Sequence, residues 1–303
     1  MKDVAGGHLM LRRDVHVQTT DGRVLAARLF APHRPRAVML INSATGFRKE
    51  FYEPFASASA RAGWAVLTYD YRGIGASREG PARKDNATML DWGVYDMPAA
   101  ARALVSLFPG LPFDVVAHSV GGHFLSFLPK DLGLRSIALL SSGSGYWGRH
   151  AAPSKYMHWA FWRVMGPIWL ATRGMIPKGV MWRGDDLPPG VFKQWRDWGV
   201  RIDYFRDAMA EAGHLTKYQS FTRPIRAWVP EDDPIATRDA VRWLLNQYPH
   251  APSEMKFVRP KDVELGQIGH AGLFHPKLHD TLWPHVWRWL DGACVSNAFS
   301  AQG

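Results

Sequence analysis

Hydrophobic positions in the first half of the chain fall into short solid runs separated by longer mixed stretches. Ala37 to Asn42 (A-V-M-L-I-N), Trp64 to Asp70 (W-A-V-L-T-Y-D), Phe113 to His118 (F-D-V-V-A-H) and Arg135 to Ser141 (R-S-I-A-L-L-S) are apolar almost throughout, the pattern of strands covered on both faces. Tyr52 to Ala62, Met89 to Leu107 and Val120 to Leu128 read as helices between them, the second ending ahead of Pro109-Gly110. Upstream, Asp14 to Thr20 and Val24 to Ala31 flank Asp21-Gly22, a hairpin signal. Strands alternating with helices in this way predict a mostly parallel central sheet with helices on both faces. In such sheets, sites form at the carboxyl ends of the strands.

The rhythm breaks after the fourth solid run. From Gly145 to about Thr216 the segments are helical and aromatic, with turn punctuation at Gly166-Pro167 and Pro188-Pro189-Gly190 and no convincing strand. Seven of the fourteen tryptophans lie here: Trp147, Trp159, Trp162, Trp169, Trp182, Trp195 and Trp198. Strand signals resume at Pro224 to Val229 and Glu254 to Val258, with helices over Thr237 to Gln247 and Asp280 to Leu290. The expected organisation is one α/β domain in two parts, residues 1–144 and 217–303, carrying a helical cap at 145–216.

Composition narrows the class. The 303 residues are 47% apolar and 21% charged, as in an ordinary globular protein. A single cysteine, Cys294, rules out an intrachain disulfide and a thiolate zinc site and suits a reducing cytoplasm. The opening M-K-D-V-A-G-G-H-L-M-L-R-R-D lacks the apolar stretch of a signal peptide, so the expected location is cytoplasmic. Met157 to Ala171 is interrupted by Arg163 and Pro167 and falls short of the ~20 apolar residues a spanning helix needs. It reads as a buried or interfacial helix, and no transmembrane segment is expected. The net charge of +10 raises the question of nucleic acid, but Lys and Arg are scattered singly, without a run of five or six. No nucleic-acid partner is expected.

Candidate chemistry centres on Val115 to His123, V-V-A-H-S-V-G-G-H. Ser119 stands where a buried strand meets a predicted helix, with the small residues Ala117 and Gly121 two places away on either side. A serine on so sharp a turn needs small neighbours, because strand and helix backbones approach closely. The competing reading is a buried serine capping a helix. A serine hydroxyl becomes a nucleophile only beside a base oriented by a carboxylate. After the Pro224 to Val229 run comes P-E-D-D-P-I-A-T, where Asp233 is the favoured acid and Asp232 its rival. Further on, G-Q-I-G-H-A-G-L-F-H offers His270 between small residues as the base, with His275 as the alternative. His118 and His123 read as packing residues. For the oxyanion, the N–H of Val120 is one expected donor and that of Ala44, or next Thr45, in N-S-A-T-G-F the other.

These residues resemble the α/β-hydrolase fold superfamily, in its serine-hydrolase, esterase- or lipase-like branch. D-Y-R-G-I-G-A-S, Asp70 to Ser77, is similar to the D-x-R-G-x-G-x-S turn of many members, where the arginine is structural. The resemblance spans nearly the whole core and puts the cap between strands six and seven. Asn42-Ser43 replaces the His-Gly common before the oxyanion residue, and Ala117 replaces the first elbow glycine. A serine at the elbow, where epoxide and haloalkane hydrolases of this fold carry aspartate, implies an acyl-enzyme. The implied function is hydrolysis of a carboxylic ester, or a related thioester or amide, through Ser119, His270 and Asp233, on a small-molecule ester with an apolar acyl group. This chemistry requires no metal or organic cofactor. An acyltransferase on the same triad and a non-catalytic binding protein of the same fold are the alternatives. Ten Lys/Arg against six Asp/Glu in the cap also fit an anionic or amphiphilic ester.

Overall fold

The computed structural model describes residues 10–179 and 182–299, with side chains described as far as residue 292. The N-terminal stretch read for a signal peptide and the side chain of Cys294 lie outside the described residues. Eight strands form one sheet: β1 (Leu11–Gln18), β2 (Val24–Ala31), β3 (Ala37–Asn42), β4 (Trp64–Tyr69), β5 (Phe113–His118), β6 (Leu134–Leu140), β7 (Ile225–Pro230) and β8 (Ser253–Val258). Their order is β1-β2-β4-β3-β5-β6-β7-β8. β2 runs antiparallel to both its neighbours and every later pairing is parallel.

Among the described residues ten α-helices lie around the sheet: α1 (Glu53–Arg61), α2 (Met89–Asp91), α3 (Met97–Leu107), α4 (Ser154–Ala160), α5 (Gly166–Arg173), α6 (Pro189–Gly199), α7 (Arg206–Glu211), α8 (Leu215–Gln219), α9 (Arg238–Leu245) and α10 (Trp283–Phe299). Within the solid strands, alternate residues face opposite layers. Val38, Leu40 and Val115 join a core with Leu104 of α3, while Met39, Ile41 and Val116 join a second core with Phe55 of α1 and Trp283 of α10. The uninterrupted apolar runs are thus strands buried on both faces.

The chain steps from β3 to β4 on one side and later to β5 on the other. Loops after β3 and β5 therefore diverge over a crevice at the carboxyl ends of the strands. Between β6 and β7 stand α4 to α8, with one isolated bridge, Ile176–Leu187, as the only pairing described there. α8 straddles residue 216, the expected end of the insertion. The Met157 to Ala171 stretch lies in one unbroken helical run, α4 and α5 joined by a π-helical turn, Phe161–Met165. Among the described residues, no helix is long and apolar enough to cross a membrane.

One expected element is absent. Val120 to Leu128 is not an α-helix but two 3-10 turns, Ser119–Gly122 and Leu125–Phe127. Gly121-Gly122 is a poor helix start, and tertiary contacts take over the carbonyls a helix would use. Tyr248 Oη donates to the carbonyls of Gly122 (3.0 Å) and His123 (2.8 Å), and Tyr218 Oη donates to that of His123 (2.9 Å). Gly121 itself is pressed against β3: an added Cβ would lie 2.5 Å from the backbone oxygen of Asn42.

Gly121→Ala should therefore cost about 2–3 kcal/mol of stability, lowering the melting temperature by roughly 4–8 °C. Gly292→Ala in α10, where nothing lies within 4 Å of the added Cβ, should instead raise stability by up to about 1 kcal/mol. Thermal unfolding followed by circular dichroism checks both; shifts of the same sign would refute this account of the elbow.

Candidate active site

β5 ends at His118, and Ser119 turns the chain with a φ of +51°, a left-handed conformation that costs a non-glycine residue about 1–3 kcal/mol. The surroundings hold it there. Ser142 Oγ, on the loop after β6, donates to the Ser119 carbonyl at 2.5 Å, and Gly121 lets the turn sit against Asn42. The turn aims the hydroxyl of Ser119 at the segment following β8.

His270 meets it there. Its Nε2 lies 2.9 Å from Ser119 Oγ, placed to accept the hydroxyl proton, and its Nδ1–H donates to Asp233 at 2.9 and 3.1 Å. Asp233 stands just past β7 and is buried. Its carboxylate also accepts the N–H groups of Ile235 (2.8 Å) and Ala236 (2.9 Å). Burial pushes the Asp233 carboxyl up, but His270 and the two backbone donors outweigh it and leave the acid below its ordinary range.

The rival acid has a separate task. Asp232 accepts the N–H groups of Ile268 (2.8 Å) and Gly269 (3.0 Å), fixing the backbone immediately before His270. Neighbouring carboxylates thus hold the same residue, one by its ring and the other by its loop. His275, the alternative base, instead accepts the N–H of Lys277 through its own side chain. His123 donates Nε2–H to the Gly143 carbonyl at 2.8 Å and packs against Tyr204 and Phe205.

The expectation for Ala44 fails. Its N–H donates to the buried Tyr52 hydroxyl at 2.8 Å and is not available to an oxyanion. His118 Nε2 lies 2.9 Å from the His270 carbonyl, which can only accept, so the neutral ring carries its proton on Nε2 and its Nδ1, 2.9 Å from Tyr52 Oη, accepts the tyrosine O–H. Burial, with the neighbouring His270, pushes His118 down to about 3 and keeps it neutral. His118 was legible only as a packing residue and Tyr52 only as part of a helix. No local signal shows that one hydroxyl joins the loop after β3 to the end of β5. Val120 is buried beside Ser119, and Thr45 follows Ala44 on the same cavity wall.

A cavity of about 240 Å³ opens over Ser119. Thr45 and Val120 line its core side, while Phe161, Trp162, Trp182 and Trp195 from the β6–β7 insertion form an apolar roof. Three of the seven tryptophans of that segment therefore face the cavity, whereas Trp198 is buried in the core. The arginine of D-Y-R-G-I-G-A-S is structural, as the resemblance implied: Arg72 is clamped by Asp96 at 2.7 Å and by Asp21 at 2.6 and 2.9 Å.

Solved structures of similar fold include an esterase from Pyrococcus furiosus, 16% identical, covering 95% of this chain and 91% of that one with a TM-score of 0.60. A soluble variant of monoglyceride lipase from Saccharomyces cerevisiae, in complex with a substrate analog, is 16% identical over 91% of this chain and 95% of that one, with a TM-score of 0.65. The esterase domain of a Rhodothermus marinus protein is 16% identical over 92% and 98%, at 0.57. No curated protein matches the chain by sequence. The model of the family described as serine aminopeptidase, S33, matches residues 33–258, a span that takes in Ser119 and Asp233 and stops short of His270. With three quarters of its length matched, and the strand order and crevice of an α/β hydrolase, the chain belongs to this family of hydrolases.

Proposed function

We propose that the protein hydrolyses a small carboxylic ester through an acyl-enzyme on Ser119. The observation that carries this reading is the continuous line of hydrogen bonds from Asp233 through His270 to Ser119 Oγ, opening directly into the cavity. Ser119 Oγ attacks the ester carbonyl carbon as its proton passes to His270 Nε2. Asp233 keeps the imidazole in the tautomer that accepts at Nε2 and stabilises the imidazolium that forms. The N–H groups of Val120 and Thr45 receive the developing oxyanion, Thr45 taking the role expected of Ala44. Collapse breaks the bond to the leaving oxygen, which takes the proton from His270. Water then attacks the acyl-enzyme, giving its proton to His270, and the acid leaves as Ser119 recovers its own.

The cavity dimensions favour short substrates, since about 240 Å³ is below the ~300 Å³ at which pockets for drug-sized ligands begin. Residues 145–216 act as a cap whose aromatic side chains exclude water and set the shape of the acyl group. Water exclusion strengthens the electrostatics of the oxyanion site.

A fluorophosphonate probe should label the wild type and not Ser119→Ala, and 4-nitrophenyl butyrate hydrolysis should fall by more than about 10³-fold in the variant. A wild type that neither labels nor releases nitrophenol ends the ester-hydrolase reading. Asp233→Asn is expected to lower kcat by about 10⁴-fold, as loss of the imidazole's orienting carboxylate does elsewhere. Asp232→Asn should act chiefly on stability, and the reverse ranking in steady-state kinetics would reassign the acid. Tyr52→Phe leaves the Ala44 N–H and His118 Nδ1 without a partner. It should lose about 1–3 kcal/mol of stability and lower kcat with KM nearly unchanged, whereas an unaltered kcat would show that the Tyr52–His118 connection does not position His270.

A further inference from the structure

β8 is the last strand of the sheet and has only β7 beside it. Ile225 N–H donates to the Pro252 carbonyl at 2.8 Å and Glu231 N–H to that of Val258 at 3.0 Å, so the even-numbered residues of β8 turn both backbone groups toward β7. The N–H and C=O groups of Ser253, Met255 and Phe257 point the other way, out of the sheet edge. They have no hydrogen-bond partner among the described residues. Edges of this kind are commonly blunted by a proline or a bulge. β8 holds no proline and pairs in regular register with β7 from end to end.

Its side chains alternate between the two faces of the sheet. Met255 and Phe257 pack on one core layer, while Glu254 and Lys256 project from the opposite face and are exposed. Glu254 is paired with Arg226 of β7. Lys256 has no ion pair among the described residues. A lysine on an exposed edge ordinarily discourages pairing with another strand. Two places from a glutamate on the same face, it discriminates between registers instead.

Consider a second copy of the chain added to this edge, antiparallel about a two-fold axis. Outward-facing groups meet only if odd-numbered residues oppose odd-numbered ones, and symmetry then centres the pairing on one residue. A centre at Glu254 or at Lys256 sets that charge directly opposite its own copy, which is destabilising. A centre at Met255 sets Glu254 opposite Lys256 of the second copy, and Lys256 opposite its Glu254. Both pairs fall at non-hydrogen-bonded positions, where opposing Cα atoms approach to about 4.5 Å. In the same register Met255 exchanges N–H and C=O with its own copy, and Ser253 exchanges them with Phe257 of the second copy. Every outward-facing residue of the strand is then satisfied, whereas centres nearer either end pair less of it.

We propose that the chain forms a two-fold dimer through β8, the strands antiparallel and centred on Met255, with the reciprocal Glu254–Lys256 pairs selecting the register. The sheet then continues across the axis through one self-complementary patch. This inference is independent of the ester-hydrolase reading.

Sedimentation velocity on the full chain over a concentration series tests it. The wild type should move from monomer to twice the chain mass as concentration rises. Lys256→Glu sets carboxylate opposite carboxylate on both sides of the axis and should raise the dissociation constant by about tenfold or more. Glu254→Lys should do the same with the opposite sign. Mixing the two single variants restores opposite charges at both positions, so the mixture should form a heterodimer at concentrations where neither variant pairs with itself. A side chain that merely supported its own fold would give no such recovery. A wild type that stays monomeric at every concentration overturns the inference. So does a dimer unmoved by Lys256→Glu, or a mixture that stays monomeric when circular dichroism shows both variants folded. The first two outcomes do not involve Glu254→Lys, which leaves Arg226 facing a lysine, so misfolding of that variant does not shelter the proposal.

Discussion

The site depends on a hydroxyl that never enters the cavity. Tyr52 sits at the head of α1, receives the Ala44 N–H and donates to His118, which in turn holds the His270 carbonyl. One buried relay thus fixes the loop after β3, the residue preceding the strained serine and the backbone of His270. Two of the three, the segment after β3 and the segment carrying His270, are loops, whose freedom is otherwise limited only by their ends, and the third is the end of β5. The relay works because His118 is neutral: a protonated ring would lose its acceptor at Nδ1, and complete burial prevents that.

Around this relay, neighbouring groups of like type take different tasks. Asp232 and Asp233 are adjacent in sequence, yet one accepts backbone N–H groups from the loop before His270 and the other accepts from the His270 ring. His118, His123 and His270 divide in the same way between tether, packing and the bond to Ser119. Hydrogen-bond inventory explains the division. Each buried polar group must find a partner, and the partners within reach decide which residue faces the cavity.

Much of this was legible in the chain. β3 and β5 occupy the residues that their solid apolar runs marked, since a strand covered on both faces must be apolar throughout. Ser119, Asp233 and His270 stood out because small residues and strand ends isolate them. The helix expected after Ser119 was not recoverable. Val120 to Leu128 is apolar whichever turn it adopts, and the tyrosines that decide its form are 90 or more residues away in sequence. Ala44 misled for the same reason, because nothing in N-S-A-T-G-F shows that a neighbouring tyrosine already occupies the first N–H.

The turns after Ser119 also bear on modularity. Tyr218 belongs to α8, the last helix between β6 and β7, and its hydroxyl caps the chain four residues beyond the serine. The roof of the cavity and the elbow beneath it are therefore one cooperative unit. Exchanging the insertion for that of another α/β hydrolase to alter specificity would remove part of the elbow's own support. Grafts that keep α8 and replace only the segments before it respect the seam the molecule has.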